Sequence, residues 1–447
     1  HGGGGIGQTP DFWDNAYFDG TYLHNGKPEP VKGYCTDVFF NAAMAFITAQ
    51  AKAKKPFLVY LATNAPHGPM HAPEEFAAPY ASLGTHVAHF LGMIANIDAN
   101  VGRLMKLLDS EGLTKDTILV FTTDNGTSSG DKVFNGGMRG KKGSEYEGGH
   151  RVPFFIRWPG GNIGGGKDMP QLTAHIDVFP TLLELCGIPV PGGLALDGAS
   201  IAPLLRGGEG GPAPDRIVIT DSQRVHTPIK WKQSSVMSTH WRLINGQALY
   251  DIRNDPAQSN DIAAQHPAVV ERLKSAYELF WAGLQPTFAE AQPIVLGNDA
   301  ENPARLTCHD WLLKDEEGNA PWNQGSIRAM KDAPVGEWRI RTDRPGRYRI
   351  TIRRWPPEIN QPIASNIAPG PDVPGDKAHR TTPGKGMAAT KAHIDILDQT
   401  REQDVPQNAA SVAFELPLEP REGVLRATFK DAAGTTFGAY YVEVQRL

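Results

Sequence analysis

The chain has 447 residues, 40% of them apolar, with Lys+Arg 44 against Asp+Glu 49 and a formal net charge of −5. Such a chain is long enough for about two to three domains and is not collagen-like, disordered or a small disulfide-stapled fold. Its balanced charge shows no basic stripe for nucleic acid, and no apolar run reaches the roughly 18 residues a membrane helix needs.

The opening His1-Gly-Gly-Gly-Gly has no initiator Met, n-region or h-region, so no signal peptide is visible. Residues 1–35 are rich in Gly, Tyr and Pro and read as irregular loop. Thr36 and Asp37 can cap a helix start, and Val38, Phe39, Ala42, Ala43, Phe46 and Ile47 recur at helical spacing. Pro56 ends that helix. Residues 57–62, nearly all apolar, read as a strand covered on both faces. A second helical face runs from Val87 to Leu108. Residues 118–121 and 153–157 are further buried-strand candidates, and Asp177–Leu185 a further helix. This alternation predicts an α/β fold with a mainly parallel sheet flanked by helices.

Residues 205–215, rich in Gly and Pro, read as a linker. Beyond it, Val236–Leu243 and Ala248–Ile252 are joined by Asn245-Gly246, a strong hairpin signal. A helix follows from Pro267 to Trp281. From about residue 290 the pattern alternates with period two, as in Gly346–Arg353 and Ser411–Leu416, which predicts a β-sandwich. Residues 364–390 read as a long loop. The expected domains are 1–210, an incomplete α/β catalytic domain; 211–288, a small antiparallel subdomain; and 289–447, an accessory β-sandwich.

Three segments carry chemistry. Asp124-Asn125-Gly126 follows the strand 118–121, where open α/β sheets gather ligands. A carboxylate beside an amide oxygen suits a hard cation such as Ca²⁺; alone, the triplet reads more strongly as turn chemistry. His67, in the loop Asn64-Ala-Pro-His67, also follows an expected strand and can pass a proton to a leaving group. Pro66, Pro69 and Pro73 forbid the helix that would make His67 and His71 a zinc pair. Lys142, in a Gly-flanked loop, is a mobile cation suited to sulfate or phosphate. The three cysteines, Cys35, Cys186 and Cys308, form no CxxC pair.

Together with Gly33-Tyr-Cys-Thr-Asp37, Asp98 to Gly102, Glu147-Gly-Gly-His-Arg-Val-Pro153, His175-Ile-Asp-Val-Phe-Pro-Thr181 and Leu249-Tyr-Asp251, these segments resemble the formylglycine-dependent sulfatases of the alkaline-phosphatase superfamily. The resemblance covers roughly residues 1–285. It implies a sulfuric ester hydrolase in which Asp124 and Asn125 bind Ca²⁺, His67 faces the ester oxygen, and Lys142, rather than Lys141, contacts the sulfate. A hydrated formylglycine attacks sulfur, the alcohol leaves, and sulfate is released. The ion and the Lys stabilise charge on the sulfate oxygens.

The family's nucleophile motif, Cys-x-Pro-Ser-Arg or Cys-x-Ala-x-Arg, matches none of the cysteines, and its early Asp-Asp pair, first Lys and first His have no counterpart. The expectation is an N-terminally truncated catalytic domain, inactive by itself. Carbohydrate sulfate is the expected substrate, in the periplasm or outside the cell, with Arg224 in a loop (Gln223, His226, Lys230) reaching it.

Two other classes stay open. A two-zinc phosphatase or phosphodiesterase of the superfamily would carry His where Asn125 stands. A non-catalytic carbohydrate-binding fragment would stack sugars on Trp311, Trp322, Trp338 or Trp355, although Trp338 and Trp355 read more strongly as core.

Overall fold

The computed structural model describes residues 4–163, 165–223, 225–290, 292–313, 320–330 and 334–447. It divides into two compact units: residues 1–45, 58–100 and 290–447, and residues 46–57 and 101–289.

The first unit is built on a β-sandwich. One sheet orders its strands Ala304–Thr307, Tyr441–Arg446, Gly346–Arg353 and Val412–Leu418, with Ile350 facing both Phe414 and Val444. The other orders Leu312–Leu313, Gly336–Thr342, Arg421–Asp431, Ala389–Ile396 and Gln399–Asp404, with two short strands added beside them. The alternation read from sequence buries one face of each strand: Trp338 and Ile340 in one sheet, Tyr348, Ile350 and Ile352 in the other. Each such side chain contributes about 1.5–3 kcal/mol by leaving water.

Trp13 joins that core, its ring edge-on to Trp355 at 5.5 Å between centroids. The surrounding N-terminal segment is fastened by the helix Gln324–Ala329. Gln324 donates to the carbonyls of Gln8, Asp11 and Phe12, and its Oε1 accepts from Asp14 N–H. Buried Arg328 pairs with Asp14 and lies over the Trp13 ring. The region 1–35, expected to be irregular, also holds a hairpin, Thr21–His24 with Lys27–Pro30. The helices Cys35–Ala53 and Thr85–Ser110 form as their spacing predicted. Asp37, in the first turn, accepts from Asn96 at 3.0 Å and Asn100 at 2.7 Å.

Residues 57–62 correct the sequence reading. They form no strand, and Leu58 and Tyr60 are 83% and 91% exposed. An apolar run shows what tends to be buried, whereas a strand also needs a neighbour to complete its ladder.

In the second unit Leu119–Thr122 pairs with Phe154–Arg157, so both strands form. The pair is antiparallel, Val120 opposite Ile156, where a parallel arrangement was expected. The helix Val178–Leu185 packs Leu185 beside Ile163 and Ala202, with Ile156 and Trp158 against them. A four-stranded antiparallel sheet follows: Val218–Asp221, Ser234–Met237, Trp241–Ile244 and Ala248–Asp251. The single strand expected over Val236–Leu243 is two, because the chain reverses at residues 238–240, where Ser238 N–H bonds the Trp241 carbonyl. The Asn245-Gly246 turn has φ of 52° and 67°, the left-handed pair a two-residue hairpin requires. The helix Pro267–Leu284 covers this sheet with Leu273, Tyr277 and Trp281.

Candidate functional site

Asp124 and Asn125 sit directly beyond the strand Leu119–Thr122, with Asp124 exposed. Three contacts fix their turn. His175 Nε2 donates to the Thr123 carbonyl at 2.7 Å. Gly126 N–H donates to the Gly149 carbonyl at 3.0 Å. A Cβ on Gly126 would stand 1.8 Å from the Gly148 carbonyl oxygen, so only glycine admits this approach. Asn125 Nδ2 donates to the Gly126 carbonyl at 3.0 Å, which leaves its Oδ1 as an acceptor.

Lys142 is on the adjoining loop. Its N–H donates to the Thr127 carbonyl at 2.8 Å, two residues beyond Asn125. The structure thus brings Asp124, Asn125 and Lys142 onto interlocked loops of one unit. The loop is anchored by Glu147, which is 1% exposed. Glu147 accepts from Arg242 Nε at 2.6 Å and lies 3.2 Å from His150 Nε2, and its N–H donates to Gln258 Oε1 at 2.8 Å. Burial would raise its carboxyl, but the bonds from His150 and Arg242 overcome this and hold it at about 2. Glu147 is visible in sequence only as part of its motif. Arg242 and Gln258 carry no motif signal, because their roles depend on contacts about a hundred residues away.

His67 belongs to the first unit. Its Nδ1 bonds the Gly68 carbonyl at 2.8 Å, and its own carbonyl accepts from Tyr17 OH at 2.6 Å. Gly4 and Gly5 lie against the ring. A Cβ on Gly4 would stand 2.5 Å from His67 Cδ2, and one on Gly5 2.3 Å from the Gly68 oxygen. Asn64 Nδ2 donates to the Gly4 carbonyl at 2.8 Å. These glycines are read from structure as a close cover for an imidazole.

Arg224 lies outside the described residues. The tryptophans divide: Trp311, Trp338 and Trp355 are buried in the sandwich core and offer no sugar platform, while Trp322 is 42% exposed. All three cysteines are free thiols; Cys35 and Cys308 are buried, and burial pushes the Cys35 thiol up to about 12. Among the described residues no group of three or more His, Cys, Asp and Glu gathers as a metal cluster. By donor chemistry, a carboxylate on Asp124 and an amide oxygen on Asn125 nevertheless suit part of a hard-cation shell, two of the roughly six to eight oxygens calcium takes.

The sulfatase family model matches residues 4–188, and the model described as N-sulphoglucosamine sulphohydrolase, C-terminal, matches residues 141–279. Residues 4–279 are therefore similar to the sulfatases of the alkaline-phosphatase-like superfamily, including their C-terminal sulfatase domain. An uncharacterized sulfatase of Escherichia coli is 27% identical over 313 residues, 62% of this chain and 55% of that protein. An N-acetylgalactosamine-6-O-sulfatase of Bacteroides thetaiotaomicron is 32% identical over 265 residues, 54% of this chain and 50% of that protein. The crystal structure of Ps i-CgsB in complex with k-i-k-neocarrahexaose superimposes with a TM-score of 0.53 at 28% identity, over 58% of this chain and 57% of that one. The chain thus spans about half the length of these curated relatives. The α/β fold of the matched portion is that of the sulfatases.

Proposed function

We propose that this chain is the part of a sulfate-ester hydrolase that holds a divalent cation and the sulfate group of a sulfated carbohydrate. The observation that carries the proposal is the interlocking of the Asp124-Asn125 turn with the Lys142 loop. It sets two oxygen donors beside a loop that bears an ammonium, a pairing suited to an anion neutralised by a hard cation. Asp124 and Asn125 would hold Ca²⁺, which supplies Lewis-acid neutralisation of the sulfate charge when bound. Asn125, where two-zinc enzymes need an imidazole, favours calcium over zinc.

Lys142 contacts a sulfate oxygen and stabilises charge developing there. His67, a residue of the first unit whose Nδ1–H is held by the Gly68 carbonyl, is the candidate proton donor to the leaving alcohol, a step for which the ring must be an imidazolium so that Nε2 carries a proton as well. The nucleophile is not assigned to any cysteine of this chain, since the buried Cys35 and Cys308 thiols are inaccessible and none of the three stands in the family motif. Sulfated carbohydrate is the substrate class, supported by relatives named for N-acetylgalactosamine sulfate and by a similar structure holding a neocarrahexaose. A periplasmic or extracellular location goes with this substrate class.

Calcium titration of the purified chain tests the ion site. Ca²⁺ is expected to raise Tm in the wild type and not in Asp124→Ala. Lys142→Ala is expected to keep the calcium response and weaken binding of a sulfated galactosamine oligosaccharide by about tenfold or more. A wild type indifferent to calcium, or equal oligosaccharide affinity in Lys142→Ala, would sink the proposal.

A further inference from the structure

Within the first unit, the chain that follows His67 is held by a segment of the C-terminal region that lies outside the family matches. Met70 N–H donates to Asp376 Oδ2 at 2.9 Å, and Asp376 N–H returns a bond to the Met70 carbonyl at 3.0 Å. His71 Nε2 donates to the Asp376 carbonyl at 2.8 Å. The same carboxylate meets His86 Nδ1 at 2.9 Å. Gly375, with φ +115°, approaches so closely that a Cβ would stand 2.1 Å from the Met70 oxygen. His71 is buried, with the Tyr17 ring edge-on to it at 5.6 Å. Tyr17 is also the residue that bonds the His67 carbonyl.

This strap meets a need of the loop itself. Pro66, Pro69 and Pro73 remove three donors and bar a regular ladder between residues 64 and 73. The remaining backbone groups must find partners elsewhere. Tyr17 supplies one at His67, the His67 ring one at Gly68, and Asp376 one at Met70, three residues beyond His67.

We propose that Asp376 is a positioning residue for the His67 loop, so that the C-terminal sandwich sets the placement of the imidazole. This rests on the role given to His67 above. A displacement of about 1 Å at a reacting group can cost a hundredfold in rate, so the strap bears on chemistry without touching substrate.

Hydrogen exchange and ligand binding of the full chain, measured together, test it. Asp376→Ala removes the carboxylate, and Gly375→Ala forces the strap away without changing charge. Both are expected to speed amide exchange across residues 64–72 at least tenfold and to weaken sulfated-oligosaccharide binding at least fivefold. Exchange in the strand Gly346–Arg353 and the calcium response are expected to stay as in wild type. Asp376→Asn, which can still accept from Met70, is expected to restore most of the protection. Unchanged exchange across 64–72 in both alanine variants overturns the positioning role. So does faster exchange with unaltered affinity, which leaves a merely structural contact. A wild type that binds no sulfated oligosaccharide overturns the reading of His67 instead, and the exchange data separate that failure from a failure of the strap.

Discussion

Glu147 carries a charge in a place where charge is costly. Its carboxylate is buried and survives there because Arg242 and His150 meet it. The folded protein holds this group at about 2, below the ordinary 4.5 that an unfolded chain retains. Between those values the unfolded chain binds the extra proton. The stabilisation is therefore complete above about pH 4.5 and is lost as pH falls toward 2, on the order of 3 kcal/mol in all. Glu147→Gln keeps the shape but strands the Arg242 guanidinium without a counter-charge. The expected cost is about 3–5 kcal/mol. Thermal unfolding of both proteins at neutral pH and at pH 3 checks this: the variant should start lower and lose less on acidification. Equal Tm at neutral pH would show that Arg242 is satisfied without the carboxylate.

At the scale of elements, helices were the most legible because their information is local. The apolar period over residues 87–108 found the helix Thr85–Ser110 to within two residues at each end. What joins that helix to Cys35–Ala53 was not legible. Asp37 reads from sequence as a helix start, yet it also accepts from Asn96 and Asn100, both buried and about sixty residues away. No pattern within one helix records a bond to another. Asp37→Ala should cost about 2 kcal/mol, since it withdraws a charged acceptor from two buried amides. Urea denaturation would read this as a lower midpoint with an unchanged slope; a loss under about 0.5 kcal/mol would mean that the amides find other partners. Strands were less legible for the converse reason, since each needs a partner from elsewhere in the chain. Residues 57–62 have strand composition but no ladder partner, and Val236–Leu243 hid a reversal that composition does not mark. The candidate site was legible as motifs, Asp124-Asn125 and Lys142 among them. Its supports, His175 and Arg242, were not legible as supports, because each works through a contact far along the chain.

At the scale of the molecule, the two units carry different acid-sensitive groups. In the first, burial pushes His379 down to about 4, with His71 adding to the shift. His71 is itself lowered by burial, against the opposing pull of Asp376. His379 is therefore neutral in the fold down to about pH 4, while in the unfolded chain it takes up a proton below about 6.5; the shift of His71 has the same sign. The unfolded state then binds more protons between pH 6.5 and 4, so stability falls as pH drops through that window. For His379 the loss is on the order of 3 kcal/mol. Glu147, in the second unit, acts only below about 4.5. Acidification should therefore weaken the first unit before the second. Hydrogen exchange at pH 7.5, 5.5 and 3.5 resolves the order: Gly346–Arg353 should begin to lose protection between the first two conditions and lose more by the third, whereas Trp241–Ile244 should lose it only between the last two. His379→Gln, which cannot take up the proton, should flatten the upper step and leave the lower one in place. Simultaneous loss in both strands, or an upper step that persists in the variant, would show that acid acts on this molecule through other groups.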